Sequence, residues 1–185
     1  QNGKIDRSLL MEKYLKQVEN GGTRVNIPAD RWLFVLNEER NDLQEHPQVT
    51  LILPTHVSQT HLFHRLYALV QAEPLLRLIG NSQQDFSAYL FDEKPNDNFC
   101  QGLVYLGDQI AYGEIPSLVK AIGHDPLVFA SWPNFRLGFG TLLDGNSVFS
   151  LRCHHAIAAG SNVLQWMSLL SNGFISCQEN LTEIN

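Results

Sequence analysis

Apolar positions along this chain follow two periods, and the points where one gives way to the other divide it into strands and helices. Arg24-Val25-Asn26-Ile27 and Arg31-Trp32-Leu33-Phe34-Val35-Leu36 are strand-like, and so is Val49-Thr50-Leu51-Ile52-Leu53, which Pro54 stops. From Thr55 the period lengthens. Val57, Leu62, Leu66, Leu69 and Val70 recur on one face of a helix of about four turns. Pro74 opens a further helical turn carrying Leu75, Leu76 and Leu78. Phe86 to Phe91 then alternates as a strand, Asp92 to Asn98 is polar enough for a solvated loop, and Gly102 to Leu106 is again strand-like. Ile115 to Ile122 is predicted as a helix with Pro116 in its first turn, where the missing N–H costs nothing.

The last third alternates strongly. Strands are expected at Leu127 to Trp132, Phe135 to Leu143 and Val148 to Cys153, with Asp144-Gly145-Asn146 turning a hairpin between the last two. A helix from Ser161 to Leu170 follows, capped by Ser161 or its neighbour. Mixed strands and helices with a late hairpin predict an α/β sandwich with a mixed, mostly antiparallel sheet and helices packed on it. The opening stretch stands apart. Leu9, Leu10, Tyr14 and Leu15 have loose helical spacing, Glu19-Asn20-Gly21-Gly22 is linker-like, and the main body is placed at residues 21–185.

Composition narrows the functional classes. The 185 residues are 44% apolar and 17% charged, which suits one domain with a packed core. A net charge of -6 argues against a nucleic-acid surface, which needs clustered Lys and Arg. No apolar run approaches a bilayer span and nothing at the start reads as a signal peptide. The three cysteines, Cys100, Cys153 and Cys177, have no metal-type spacing and suit reduced, mostly buried thiols, so a cytoplasmic setting is expected. Seven histidines are more than expected, but His46, His56, His61, His64 and His124 form no HExxH. His61 and His64 lie three apart on the expected helix and could share a face; exposed or satisfied side chains are the plainer reading, and no metal is expected.

Two short motifs point to chemistry. Gln1-Asn2-Gly3-Lys4-Ile5-Asp6-Arg7 resembles the closing motif of acyl-adenylating enzymes, including peptide-synthetase adenylation domains and acyl-CoA ligases. In that family the lysine at the position of Lys4 contacts the carboxylate and phosphate during adenylation. The resemblance covers about the first sixteen residues, so residues 1–20 are read as the end of an upstream adenylating domain with its linker.

Further on, Ser150-Leu151-Arg152-Cys153-His154-His155-Ala156-Ile157-Ala158-Ala159-Gly160 lies between a strand and a helix. It resembles the HHxxxDG motif of the superfamily containing chloramphenicol acetyltransferase and peptide-synthetase condensation domains. The resemblance implies that His155 is the general base, deprotonating a hydroxyl or amine as it attacks a thioester carbonyl. Imidazole suits that task because its pKa lies near working pH. It implies further that His154 orients the loop and that Gly160 makes the turn into the helix. Ser131, in Phe129-Ala130-Ser131-Trp132, is placed as a hydroxyl donor to the oxyanion, the part a serine plays in chloramphenicol acetyltransferase. Glu73-Pro74-Leu75-Leu76-Arg77 resembles the family's HPxLR segment without its histidine.

One position departs from the pattern. Where the motif has aspartate, this chain has Ala159. In the family that carboxylate pairs with an arginine to hold the histidine loop, so here either another contact holds it, leaving Arg31 or Arg136 to a different role, or catalysis is lost.

The resemblance implies acyl transfer from a coenzyme A or carrier-protein phosphopantetheine thioester, without metal, beside an adenylating partner. Chloramphenicol acetyltransferase builds trimers from units of this size with active sites between subunits, so self-association is expected. Two alternatives stay open: a non-catalytic acyl- or carrier-binding module, and a hot-dog-fold dehydratase or thioesterase.

Overall fold

The computed structural model describes residues 24–26, 46–80, 87–90, 97–124, 126–129, 131–158 and 160–182. The adenylating-type motif with Lys4, the expected strand at 31–36, Arg31 and Ala159 lie outside these residues. Seven strands are described: β1 Arg24–Asn26, β2 Gln48–Leu53, β3 Leu78–Gly80, β4 Ser87–Leu90, β5 Leu103–Ile110, β6 Phe135–Leu142 and β7 Ser147–Cys153. The helices are α1 Gln59–Ala72, the short α2 Asp97–Cys100, α3 Ile115–His124 and α4 Gly160–Thr182.

Four strands form the main sheet in the order β2-β7-β6-β5, and β1-β4-β3 form a small antiparallel one. In the main sheet β2/β7 and β7/β6 run antiparallel, while β5/β6 are parallel. The fold is thus α/β with a mixed, mostly antiparallel sheet. The parallel pair follows from chain order, because α3 crosses between β5 and β6 and returns the chain in the same direction.

Strand β7 is buried at every residue. Its alternation therefore divides two cores rather than core from solvent. Phe149, Leu151 and Cys153, with Phe135, Leu137 and Phe139 of β6, join the core that α1 and α4 close through Leu62, Leu66, Leu69, Val70, Val163, Trp166, Met167 and Leu170. The four α1 residues are the stripe expected from the sequence, and Ser58 caps that helix by accepting the His61 N–H. Arg65 donates to the Leu169 carbonyl and ties α1 to α4 (3.1 Å). On the opposite face Val148 and Leu142 meet Ile110 beneath α3.

That second face is tight because β6 presents glycine there. A Cβ on Gly138 would lie 2.1 Å from Ile122 Cδ1 of α3. One on Gly140 would lie 2.6 Å from Ile110 Cδ1 and 2.7 Å from the Gly107 carbonyl of β5. Gly107 itself has φ 121°, at a bulge that brings its carbonyl inward. Polar groups beneath α3 are matched. Gln48 donates to the Val119 carbonyl and to Ser150 Oγ, and buried Arg152 donates to the Ile122 carbonyl.

The hairpin between β6 and β7 turns where expected, with Gly145 at φ 84°. Tyr112 holds its tip by donating to Asp144 (2.7 Å) and accepting from Asn146 Nδ2. Several boundaries differ from expectation. β5 runs four residues past Leu106 to Ile110, and α4 continues to Thr182. Asp97 and Asn98 belong to α2. Ser161 lies inside α4 rather than at its cap, since the helix starts at Gly160.

The expected strand at Leu127 to Trp132 is absent from the described part of that segment, which is irregular. Its alternating side chains instead plug separate gaps: Leu127, Phe129 and Trp132 are buried while Val128 and Ser131 are exposed.

The two glycines separate backbone from side-chain crowding. Gly140→Ala is expected to destabilise the fold by about 1–3 kcal/mol in urea unfolding, as overpacking does, because a carbonyl blocks the methyl group. Gly138→Ala meets the flexible end of Ile122, so Ile122→Val, which deletes that end, should recover a measurable part of its loss. Ile110→Val should not do the same for Gly140→Ala.

Candidate functional site

The histidine pair sits where β7 leaves the sheet. Pairing with β2 continues past the strand end: the Cys153 N–H donates to the Pro47 carbonyl (3.1 Å). The β2/β7 register runs from Leu53↔Ser147 to Gln48↔Arg152. Two residues further, the same register sets His46 opposite His154. The two rings lie 4.5 Å apart. His46 is therefore a third histidine at the site, delivered by strand pairing rather than by the motif.

His154 is fully buried and held on every side. Its N–H donates to the Asn134 carbonyl (2.9 Å), and its own carbonyl accepts from the Ile157 and Ala158 N–H groups. Its Nδ1 accepts the Ala156 N–H (3.1 Å), so that nitrogen is the acceptor and the ring proton sits on Nε2. Phe129 stacks on the ring from one side (5.3 Å, 23°), and His46 is tilted against it. A ring fixed in this way is a structural pin.

The pin extends to the Pro-Leu-Leu-Arg segment, which forms a 3₁₀ turn at Pro74–Arg77. Trp132 Nε1 donates to the Leu76 carbonyl (3.0 Å). Asn134, fully buried, donates through Nδ2 to the carbonyls of Leu78 (2.8 Å) and Phe129 (3.3 Å). Phe129, Trp132 and Asn134 thus link the two stretches that resemble the family, with Phe129 stacked on His154 and the Asn134 carbonyl accepting its N–H.

His155 is only half-buried, with Nδ1 shielded. Its main-chain N–H donates to Nδ1 of His46 (3.2 Å). It is the less buried of the two motif histidines. Ser131 is exposed, and its N–H closes a turn onto the Val128 carbonyl. It lies two residues from the Phe129 that stacks on His154.

Gly160 opens α4 outside the left-handed region, and a Cβ there would meet nothing within 4 Å. Arg136 donates to the carbonyls of Pro133 and Phe135, so it steadies the start of β6. Arg152, not singled out in the sequence, is the arginine whose charge acts on His46.

Electrostatics fix the state of His46. Burial, then electrostatic interaction with His154, Arg152 and His155, pushes its pKa down to about 3, against a smaller pull upward from the Leu127 backbone. It is neutral near pH 7 and can accept from His155. Burial pushes the Cys153 thiol up and keeps it protonated. Among the described residues no three His, Cys, Asp or Glu side chains gather as a metal site. His61 meets Phe174 edge-on and His64 is exposed. No described helix is long and apolar enough to cross a membrane.

No protein-family model and no curated protein matches this sequence. Solved structures do match. The starter condensation domain of rhizomide synthetase superposes with a TM-score of 0.65 at 10% identity, over 86% of this chain and 40% of that one. The X-domain in complex with OxyB from teicoplanin biosynthesis gives 0.64 at 14% identity, over 80% of this chain and 32% of that one. A four-domain nonribosomal peptide synthetase bound to AMP and glycine gives 0.62 at 16% identity, over 83% and 12%.

This chain therefore spans well under half of the structures it matches, and at these identities the likeness is one of fold. That fold is similar to those of condensation domains and X-domains. The hot-dog alternative is overturned, because helices cover both faces of the main sheet and a parallel β5–α3–β6 crossover is built into it.

Acid should expose the role of His46. Its folded pKa is depressed, so between about pH 6.5 and 3 the unfolded chain holds the extra proton. Stability due to the neutral ring is complete above pH 6.5 and is lost as pH falls toward 3. The difference in unfolding free energy between wild type and His46→Asn should move against wild type with a slope approaching ~1.4 kcal/mol per pH unit in that window. Parallel curves would show that His46 is open to solvent.

Proposed function

We propose that this chain is the histidine-bearing lobe of a condensation-type transferase acting on an acyl or peptidyl thioester. The observation that carries the reading is the pair itself: His154 is pinned by Asn134, Ala156, Phe129 and His46, and His155 is presented half-buried beside it. The fold shared with condensation domains supports it. The donor would be a carrier-protein phosphopantetheine or coenzyme A thioester, and the acceptor an amine or hydroxyl.

In the proposed step the acceptor nitrogen or oxygen attacks the thioester carbonyl while the His155 imidazole takes its proton. The tetrahedral intermediate then expels the thiolate, which recovers the proton from His155. Ser131, with its exposed hydroxyl, is the proposed donor to the oxyanion. His154 acts through position alone, since its Nδ1 is occupied by a backbone N–H. No metal is required. The first-residue motif would supply the neighbouring adenylating domain that activates the acid.

The matched structures are much longer than this chain, which supports a second wall for the site from outside these residues. A second copy in a symmetric trimer is the arrangement proposed. A non-catalytic reading is favoured by one observation: an X-domain is among the neighbours, and that protein was solved with OxyB bound. On that reading the pair is structural and the chain recruits a partner enzyme or carrier protein.

Transfer from a pantetheine thioester to an amine acceptor decides between them. His155→Ala, with its fold intact by circular dichroism, should lose roughly a hundredfold or more in rate, the scale of a missing general base. A wild-type protein that binds the carrier thioester but transfers nothing would establish the binding module instead. Light scattering at micromolar concentration should give a trimer; a fully active monomer would refute the shared site.

A further inference from the structure

We infer that His46 is a positioning residue for both motif histidines: its ring packs on His154 and its Nδ1 holds the backbone N–H of His155. Three observations join here. The ring centroids of His46 and His154 are 4.5 Å apart. The His155 N–H donates to His46 Nδ1 at 3.2 Å, across 109 positions of sequence. His46 is itself buried, at the end of a strand whose register is fixed by six paired residues.

The chemistry calls for an acceptor at one particular atom. Beyond β7 the His155 N–H meets the His46 ring on the β2 side rather than a ladder carbonyl, and a buried N–H left without an acceptor costs on the order of 1–3 kcal/mol. Water would satisfy it but would leave the peptide free to rotate and carry the His155 ring with it. A neutral imidazole supplies a lone pair in the ring plane and an apolar face for His154. A protonated one would set N–H against N–H. The charged and titratable groups facing His46 are Arg152, His154 and His155, and burial first, then their electrostatic influence, keeps it neutral. Phe129 completes the arrangement by stacking on His154 (5.3 Å), so the pinned ring is gripped by one residue from each flanking segment.

This assignment rests on the reading of His155 as a base only for its kinetic arm. The test compares three replacements in the whole protein. Asn places its Oδ1 close to where Nδ1 lies and can accept from the His155 N–H. Gln carries its carbonyl one bond too far, and Leu fills the space with no acceptor.

Two readouts are taken: hydrogen exchange of the His155 amide by NMR, and kcat and KM for transfer from a pantetheine thioester. Asn is expected to keep the amide protected and kcat within about threefold of wild type. Gln and Leu should lose protection and cost roughly tenfold or more in kcat with KM little changed, in keeping with the sensitivity of catalysis to small misplacements.

Equal behaviour of Asn and Leu in amide exchange would overturn the assignment. So would a protected His155 amide in all three. If Leu fails to fold, the Asn and Gln pair carries the comparison alone. If the wild-type protein transfers nothing, the proposed function falls, and amide exchange alone still decides whether His46 holds the loop.

Discussion

Strand β7 has no solvent-facing side. It is hydrogen-bonded to β2 and β6 along its length, with one core above it and another below. A strand held in this way cannot shift by one residue without moving Phe149, Leu151 and Cys153 out of one core and Arg152 and Ser150 into it. Whatever follows its last residue is therefore delivered to a fixed place. The histidine loop begins at that point, and each of its restraints is an extension of the same rigidity: β2 continues as Pro47 and His46, and β6 is preceded by Asn134.

Much of this was legible in the sequence where one period dominates. The stripe of α1, the Asp144-Gly145-Asn146 turn and the alternation of β6 and β7 each carry a strong local signal, and all three recur in the structure. The segment from Leu127 to Trp132 carries an alternating signal too, but its apolar side chains serve burial at separate points and no ladder forms there. Alternation reports which side chains are buried; it does not report whether the backbone pairs. The strand expected to end at Leu106 is longer because a bulge lets β5 continue through Gly107, Asp108 and Gln109 to Ile110.

The candidate site divides along the same line. His154 and His155 stand out as a local pair in a local pattern. His46, Asn134 and Arg152 do not, because nothing near them in sequence marks them. His46 was one histidine among seven, and only pairing across more than a hundred residues gives it a role. Asn134 carries no motif signal, yet its amide joins the carbonyls of Leu78 and Phe129 and its main chain holds His154. Ala159, the departure from the family pattern, lies outside the described residues. The contacts described around His154 come from the β2 and β6 sides, through His46, Phe129 and Asn134.

The placement of His46 by register has a consequence for how such a site can change over time. A motif can drift along a loop by insertion and still keep its spacing, but a cross-strand partner cannot. One residue inserted between His46 and Gln48 would bring the new residue or Pro47, whose ring offers no acceptor, opposite His154, and deleting Pro47 would bring the residue before His46 there. Substitution at position 46 is open to sampling, whereas length change in that stretch is closed, so this edge of the site can vary in chemistry but not in chain length.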